Sequence, residues 1–81
     1  MTWNTQTSNM GNSIKLVVFY HDWTGKSKDT FHAFKGEEEK GTAITGLTRR
    51  ILQGKANGQY KIAIFYKNNI EFERWVEGYK T

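Results

Sequence analysis

Three groups of side chains in this 81-residue sequence could carry out chemistry, and the first combines histidine and aspartate. His21 and Asp22 are adjacent, and His32 follows on the far side of a turn-forming stretch. Such a group can bind a metal ion or transfer protons. Its spacing matches no established ligand signature, so we interpret these residues as surface or strand-edge side chains.

The second group, Gly25-Lys26-Ser27, matches the end of a phosphate-binding P-loop. A P-loop also requires a glycine at the position that Tyr20 occupies, and a helix after the serine. The residues after Ser27 have the composition of a strand instead. We therefore predict a hairpin turn here and no phosphate site.

The third group is the acidic run Glu37-Glu38-Glu39, which lacks the alternating acids and turn glycine of a calcium loop. We interpret it as a solvated charge run in a loop over 36–41. No serine has a visible base and orienting acid, and the absence of cysteine excludes disulfides, thiolate catalysis and cysteine-based metal sites. We expect a protein that is not an enzyme and uses no cofactor or metal.

Length and composition limit the organisation of the chain to one core. Residues 1–12 are polar, uncharged and without periodicity, which predicts a flexible N-terminal tail before a single domain over 13–81. Neither a secretory leader nor a stretch of membrane-spanning length is visible. We therefore expect a cytoplasmic protein that does not enter a membrane.

Four segments have the alternating apolar pattern of strands, over 13–22, 30–34, 59–66 and 70–79. One segment has helical spacing, with Thr42 as the expected N-cap and a stop at Gly54 or Gly58. Gly46 inside this helix indicates a close packing contact. The buried helical positions are Ala43, Ile44, Leu47, Ile51 and Leu52.

The turn between the last two strands determines which side chains share a face. A two-residue Asn68-Asn69 turn would place carboxylates beside the isoleucines, so we predict a three-residue loop with Asn69 in the left-handed region. Arg74 does not fit the pattern of its face, so we also expect either an edge position or a further bulge near it. This loop groups on one face Tyr60, Ile62, Ile64, Tyr66, Ile70, Phe72 and Val76. The helix-covered face is then predicted to depend on Leu16, Val18, Leu47, Ile51, Ile62, Ile64 and Phe72.

The predicted fold class is α+β, with a four-stranded antiparallel sheet in ββαββ order and one helix packed on one face. One helix leaves the second face of the sheet open. The alternation assigns to this second face Lys15, Val17, Phe19, His21, Lys61, Ala63, Phe65, Glu71, Glu73, Trp75 and Glu77.

The first functional hypothesis is a protein-interaction module or homodimer. Its interface would use the rings and apolar side chains of the second face as anchors, namely Val17, Phe19, Phe65 and Trp75. The alternative that these rings form ordinary core remains open, because the tail, a long loop or a second layer could cover them.

The alternative hypothesis is nucleic-acid binding. Lys and Arg outnumber Asp and Glu by 12 to 8, and no acid occurs between Lys40 and Lys67. Phosphate contacts would come from the helix and the adjacent segments, through Arg49, Arg50, Lys55, Lys61 and Lys67. Stacking of bases on the second face is less favoured, because the alternation also places Glu71, Glu73 and Glu77 there, and these carboxylates repel phosphate.

Overall fold

A computed structural model of the protein describes residues 14–81 as a twisted antiparallel sheet with a helical layer on one face. The sheet order is β2-β1-β3-β4-β5. The predicted α+β class with an antiparallel sheet is confirmed, whereas the four-stranded ββαββ order is wrong because the sheet has a fifth strand. The predicted tail over 1–12 lies outside the described residues. The strands are β1 Ile14–Tyr20, β2 Lys28–His32, β3 Tyr60–Lys67, β4 Ile70–Val76 and β5 Tyr79–Lys80.

The fifth strand arises where the sequence analysis extended β4 without a break. Glu77 and Gly78 both have positive φ, of 52° and 92°, and Val76 pairs with Tyr79. This is the two-residue turn of a tight hairpin. Only the glycine signalled it, because a glutamate in the left-handed region is uncommon.

The acidic run forms a short helix, α1 (Lys35–Lys40), instead of the predicted loop. Glu37 starts it, because its carboxylate accepts the Phe34 backbone N–H at 3.0 Å and forms an ion pair with Arg50. Gly41 ends it in the left-handed conformation, with φ of 76°. A local cap and a partner from the next helix thus order a segment that composition assigns to a loop.

The predicted helix begins as α2 (Ala43–Leu47) and continues as a wider π-helical segment, Thr48–Lys55. It starts after Thr42 as predicted, although the threonine side chain makes no capping hydrogen bond. The Ala56 N–H donates to the Ile51 carbonyl at 2.7 Å, five residues back. A Cβ at Gly46 would overlap the Glu37 carboxylate, which confirms the close contact expected there.

The core lies between the helical layer and one face of the sheet. From the helical layer it takes Leu47, Ile51 and Leu52, and from the sheet it takes Ile14, Leu16, Val18, Tyr20, Tyr60, Ala63 and Phe65. The burial predicted for Leu16, Val18, Leu47 and Ile51 is confirmed. The placement of Ile62 and Ile64 on this face is wrong, because Ile64 lies opposite Val17 on the other side of the sheet.

Two extra residues in the ladders explain the wrong face assignment. Phe19 pairs with Ile62 but Tyr20 with Tyr60, so Lys61 is an extra residue and Tyr60 turns toward the helices. Because alternation continues without interruption from Ile62 to Lys67, Phe65 rather than Ile64 faces the helices. No feature of the sequence around Lys61 indicates this bulge.

The second extra residue is Phe72, because Phe65 pairs with Glu73 and Tyr66 with Glu71. The predicted three-residue loop is wrong: Lys67 pairs with Ile70 across a two-residue turn in which Asn68 and Asn69 have φ of 53° and 68°. Of the two alternatives expected for Arg74, an edge position or a nearby bulge, the structure has the bulge, at Phe72. Because of this extra residue, the two-residue turn does not place a carboxylate beside the isoleucine: Arg74, and not a glutamate, lies opposite Ile64.

The face assignment predicts a stability contrast between two phenylalanines. Phe65 is fully buried, so Phe65→Ala should lower the free energy of unfolding by about 3–5 kcal/mol. Phe19 is only partly buried on the other face, so Phe19→Ala should cost less than half as much. Urea denaturation of both variants measures the difference, and equal losses or the reverse order would contradict the assignment.

A second prediction concerns alkaline pH. Burial raises the pKa of Tyr20 to about 12, and the hydrogen bond from its hydroxyl to Asp29 Oδ2 at 2.8 Å acts in the same direction. Because an unfolded tyrosine titrates near 10, the contribution of Tyr20 to the free energy of unfolding is complete below pH 10 and is lost as pH rises toward 12. Tyr20→Phe should therefore lose stability less steeply over this interval in urea denaturation. A variant with the parent's slope would contradict this account.

Candidate functional site

The face of the sheet opposite the helices, which we call the open face, is the candidate functional site. The buried helical side chains all belong to the single core on the other face, and within residues 14–81 no helix packs here. Cross-strand pairing arranges the open face in three rows. The first row is Lys28, Phe19, Ile62, Val76 and Tyr79; the second is Thr30, Val17, Ile64 and Arg74; the third is His32, Lys15, Tyr66 and Glu71.

Apolar side chains form the floor of the open face. Val17 and Ile64 lie opposite each other in the middle row and are 8% and 7% exposed. Phe19 and Tyr66 are partly exposed on either side of this floor, and Tyr79 at the β5 edge is 78% exposed. The face therefore has an aliphatic centre with rings at its borders.

Two of these rings each lie beside a lysine that occupies the same row on the neighbouring strand. The Lys28 ammonium lies 5.9 Å from the centre of the Phe19 ring, and the Lys15 ammonium lies 5.5 Å from the centre of the Tyr66 ring. Lys15 Nζ also donates to the Asn69 side-chain oxygen at 3.1 Å. Each pair is a cation–π contact, which places positive charge over the rings that border the apolar floor.

The one carboxylate in the three rows is neutralised. Arg74 donates from Nε and Nη2 to the two carboxylate oxygens of Glu71, both at 2.9 Å. The hydrogen bonds from Arg74 lower the pKa of Glu71, so the pair stays ionised well below neutral pH. The bulge at Phe72 makes this pairing possible, since it puts residues three apart in the chain on the same face.

A shallow depression of about 470 Å³ extends the open face at its Phe19 end. Lys26 and Lys61 line it together with Phe19, and the Lys26 ammonium lies 5.1 Å from the centre of the Tyr20 ring. Asp22 is the acidic residue in its wall. Tyr20 faces the helices, so Lys26 lies at the edge of this corner, whereas Lys28 lies in the same row as Phe19 on the open face.

The structure separates the four predicted interface anchors. Val17 and Phe19 lie on the open face, as predicted. Phe65 and Trp75 do not: Phe65 is fully buried under the helices, and Trp75 packs against the same core. Their placement on the open face is therefore wrong. The cause is the bulge at Lys61, which reverses the alternation relative to β1.

The same correction removes two acids from the open face. Glu73 lies on the helical side, where it accepts the Trp75 indole N–H at 2.8 Å and lies 3.6 Å from Lys80 Nζ. Glu77 lies in the turn before β5, with its carboxylate 3.0 Å from His21 Nε2. The carboxylates that counted against phosphate on this face are thus absent from it, apart from the paired Glu71.

The predicted basic strip does not form one surface. Arg49 and Lys55 are exposed on the helical layer. Arg50 is held by Glu37 and lies 4.1 Å from the centre of the Phe34 ring. Lys61 belongs to the depression beside Phe19, and Lys67 lines a different depression, of about 390 Å³, at the Ile14 end of the helical side.

The histidine–aspartate group is not assembled either. His21 follows the end of β1, while His32 pairs with Lys15 near its beginning, so the strand separates them. Among residues 14–81 no three metal-ligating side chains come together, and no helix there is long and apolar enough to cross a membrane.

Sequence reasoning missed Lys28, Tyr66 and Tyr79 as members of this surface. Tyr66 was assigned to the buried face with Ile64, and the short strand that carries Tyr79 was not separated from β4. The aromatic and basic composition of these strands was visible, but their common face depends on the bulges. Comparison with models of protein families, with curated proteins and with solved structures returns no match to this chain.

Proposed function

We propose that this protein is a small non-enzymatic binding module whose partner packs on the open face of its sheet. The observation that carries the proposal is the first cross-strand row. In it, Phe19, Ile62, Val76 and Tyr79 lie side by side on four strands, on a face where no helix of residues 14–81 packs. Apolar side chains grouped in this way mark interaction surfaces in small soluble domains.

The spread of the open face across several strands favours a macromolecular partner over a small ligand. Small molecules are bound in concave pockets that cover most of their surface, whereas the apolar side chains of the first row alone are distributed over four strands. A few exposed rings can dominate the energy of binding to such a surface. Phe19, Tyr66 and Tyr79 have the required position and exposure.

The helical side offers less for this purpose. Its buried apolar residues belong to the core, and two of its exposed rings already have partners: Phe34 lies against Arg50, and the centre of the Phe72 ring lies 6.3 Å from that of Phe65. The ion pair between Glu37 and Arg50 also connects α1 to the π-helical segment. On the open face, by contrast, exposed side chains can be truncated to weaken binding without disrupting the core.

The proposal predicts that binding and stability separate. Tyr79→Ser and Phe19→Ser should weaken partner capture or self-association by about tenfold or more, as truncated anchors do. Tyr79→Ser should leave the melting temperature nearly unchanged, because the ring is 78% exposed. Sedimentation of the purified protein measures self-association, and capture from a lysate of the producing cell, with and without nuclease, measures other partners.

Phe34→Ser is the matched control, since it removes a ring that is 61% exposed on the helical side. It should retain the parent's association and capture. The proposal fails if the parent is monomeric and if Tyr79→Ser and Phe19→Ser both capture the same material as the parent. In that case the open face is not the binding surface.

A further inference from the structure

We infer that the partner of the open face is single-stranded nucleic acid, with bases stacked on its rings and phosphates contacted by its lysines. This inference rests on the proposed function and adds the chemical class of the partner. The charge of the face decides the class. The three rows carry Lys15, Lys28 and Arg74 against the single carboxylate of Glu71.

The first requirement for single-strand binding is a set of exposed rings that bases can stack on. Phe19 and Tyr66 lie on adjacent strands and four residues apart in register, which separates them by about 14 Å. Tyr79 lies in the row of Phe19, three strands away, at a similar distance of about 14 Å. Between the rings lies the aliphatic floor of Val17 and Ile64. Unstacked bases could contact this surface at several points without any requirement for sequence.

The second requirement is positive charge next to each stacking position. Lys28 lies over Phe19 and Lys15 over Tyr66, at 5.9 and 5.5 Å from the ring centres. A lysine has a flexible stem, so its ammonium can leave the ring when a base arrives and move to the adjoining phosphate. Lys26 and Lys61 extend this charge around the Phe19 corner.

The third consideration is the small number of unpaired acids around the rings. Glu71 accepts two hydrogen bonds from Arg74, Glu73 lies on the helical side, and Glu77, in the turn before Tyr79, lies 3.0 Å from His21 Nε2. Asp22 is an acid near the Phe19 corner, where it faces two lysines in the same depression. An anion is therefore favoured over the cationic partner that an acidic face would attract.

A single strand fits this surface better than a duplex. In a duplex the faces of the bases are covered by their neighbours, so rings on a sheet could reach only phosphates and groove edges. Stacking on Phe19, Tyr66 and Tyr79 can contribute to binding only when the faces of the bases are free. The inference therefore predicts both a preference for single strands and a dependence on the rings.

The experiment uses fluorescence anisotropy of a labelled oligothymidine of about 12 nucleotides, a length in the range of known single-strand sites. The full chain should bind it at about 50 mM salt, with affinity falling as salt rises. Phe19→Leu and Tyr66→Leu should each weaken binding by about tenfold, because they keep apolar bulk but remove stacking. The Lys15→Glu, Lys28→Glu double variant should abolish binding, and Glu71→Gln should strengthen it by freeing Arg74.

The matched control is the Arg49→Glu, Lys55→Glu double variant on the helical layer, which changes the net charge by the same amount. It should retain most of the affinity. Equal losses in the two double variants would overturn the inference, because the effect would then depend on total charge or on the helix. Binding that is insensitive to Phe19→Leu and Tyr66→Leu, or that is as tight for a duplex of the same length, would overturn it too.

The outcome also separates this inference from the proposed function. If the parent does not bind the oligothymidine or the corresponding oligouridine at low salt, single-stranded nucleic acid is not the partner. If Tyr79→Ser and Phe19→Ser nevertheless disrupt self-association or nuclease-resistant capture, the open face remains a binding surface for protein. If the parent binds no oligonucleotide and the two serine variants also leave self-association and capture unchanged, the proposed function itself fails.

Discussion

The antiparallel pairing of β1 with β3 places Leu16 opposite Phe65 and Val18 opposite Ala63, and these four residues form the centre of the sheet side of the core. Leu47, Ile51 and Leu52 pack on them from the helical layer. Because side chains alternate along a strand, this choice also fixes the other face, where Val17 lies opposite Ile64. Burial of Phe65 under the helices and exposure of the Phe19 row are thus two consequences of a single register.

The bulges adapt the remaining strands to this register. The extra residue at Lys61 returns Tyr60 to the core opposite Tyr20, so both tyrosine rings are buried at one end of the sheet. The extra residue at Phe72 brings Glu71 and Arg74 onto the same face and directs Glu73 toward the Trp75 indole. The charge of the open face is therefore a result of backbone irregularity as much as of composition.

The sequence predicted the elements well and the faces poorly, for reasons that particular residues make clear. The apolar run of β1 and the helical spacing from Ala43 to Leu52 are strong local signals, and both elements were found. In β3, however, Ile62 and Ile64 alternate with Ala63 and Phe65, and either pair is apolar enough to form the core. A one-residue bulge decides between them, and nothing local in the Tyr60-Lys61-Ile62 stretch announces it. The candidate site was missed for the same reason, because the bulge decides on which face Ile62, Ile64 and Tyr66 lie.

The central claim is that the rings of the open face are the contact surface for bases, and nuclear magnetic resonance of the side chains tests it directly. Titration of the labelled full chain with oligothymidine should shift the ring protons of Phe19, Tyr66 and Tyr79 and the methyl groups of Val17 and Ile64, because stacked bases exert ring-current effects on groups beneath them. Phe34 and Leu47, on the helical side, should stay unchanged. Shifts confined to residues of the helical layer, with the open-face rings unaffected, would contradict the account.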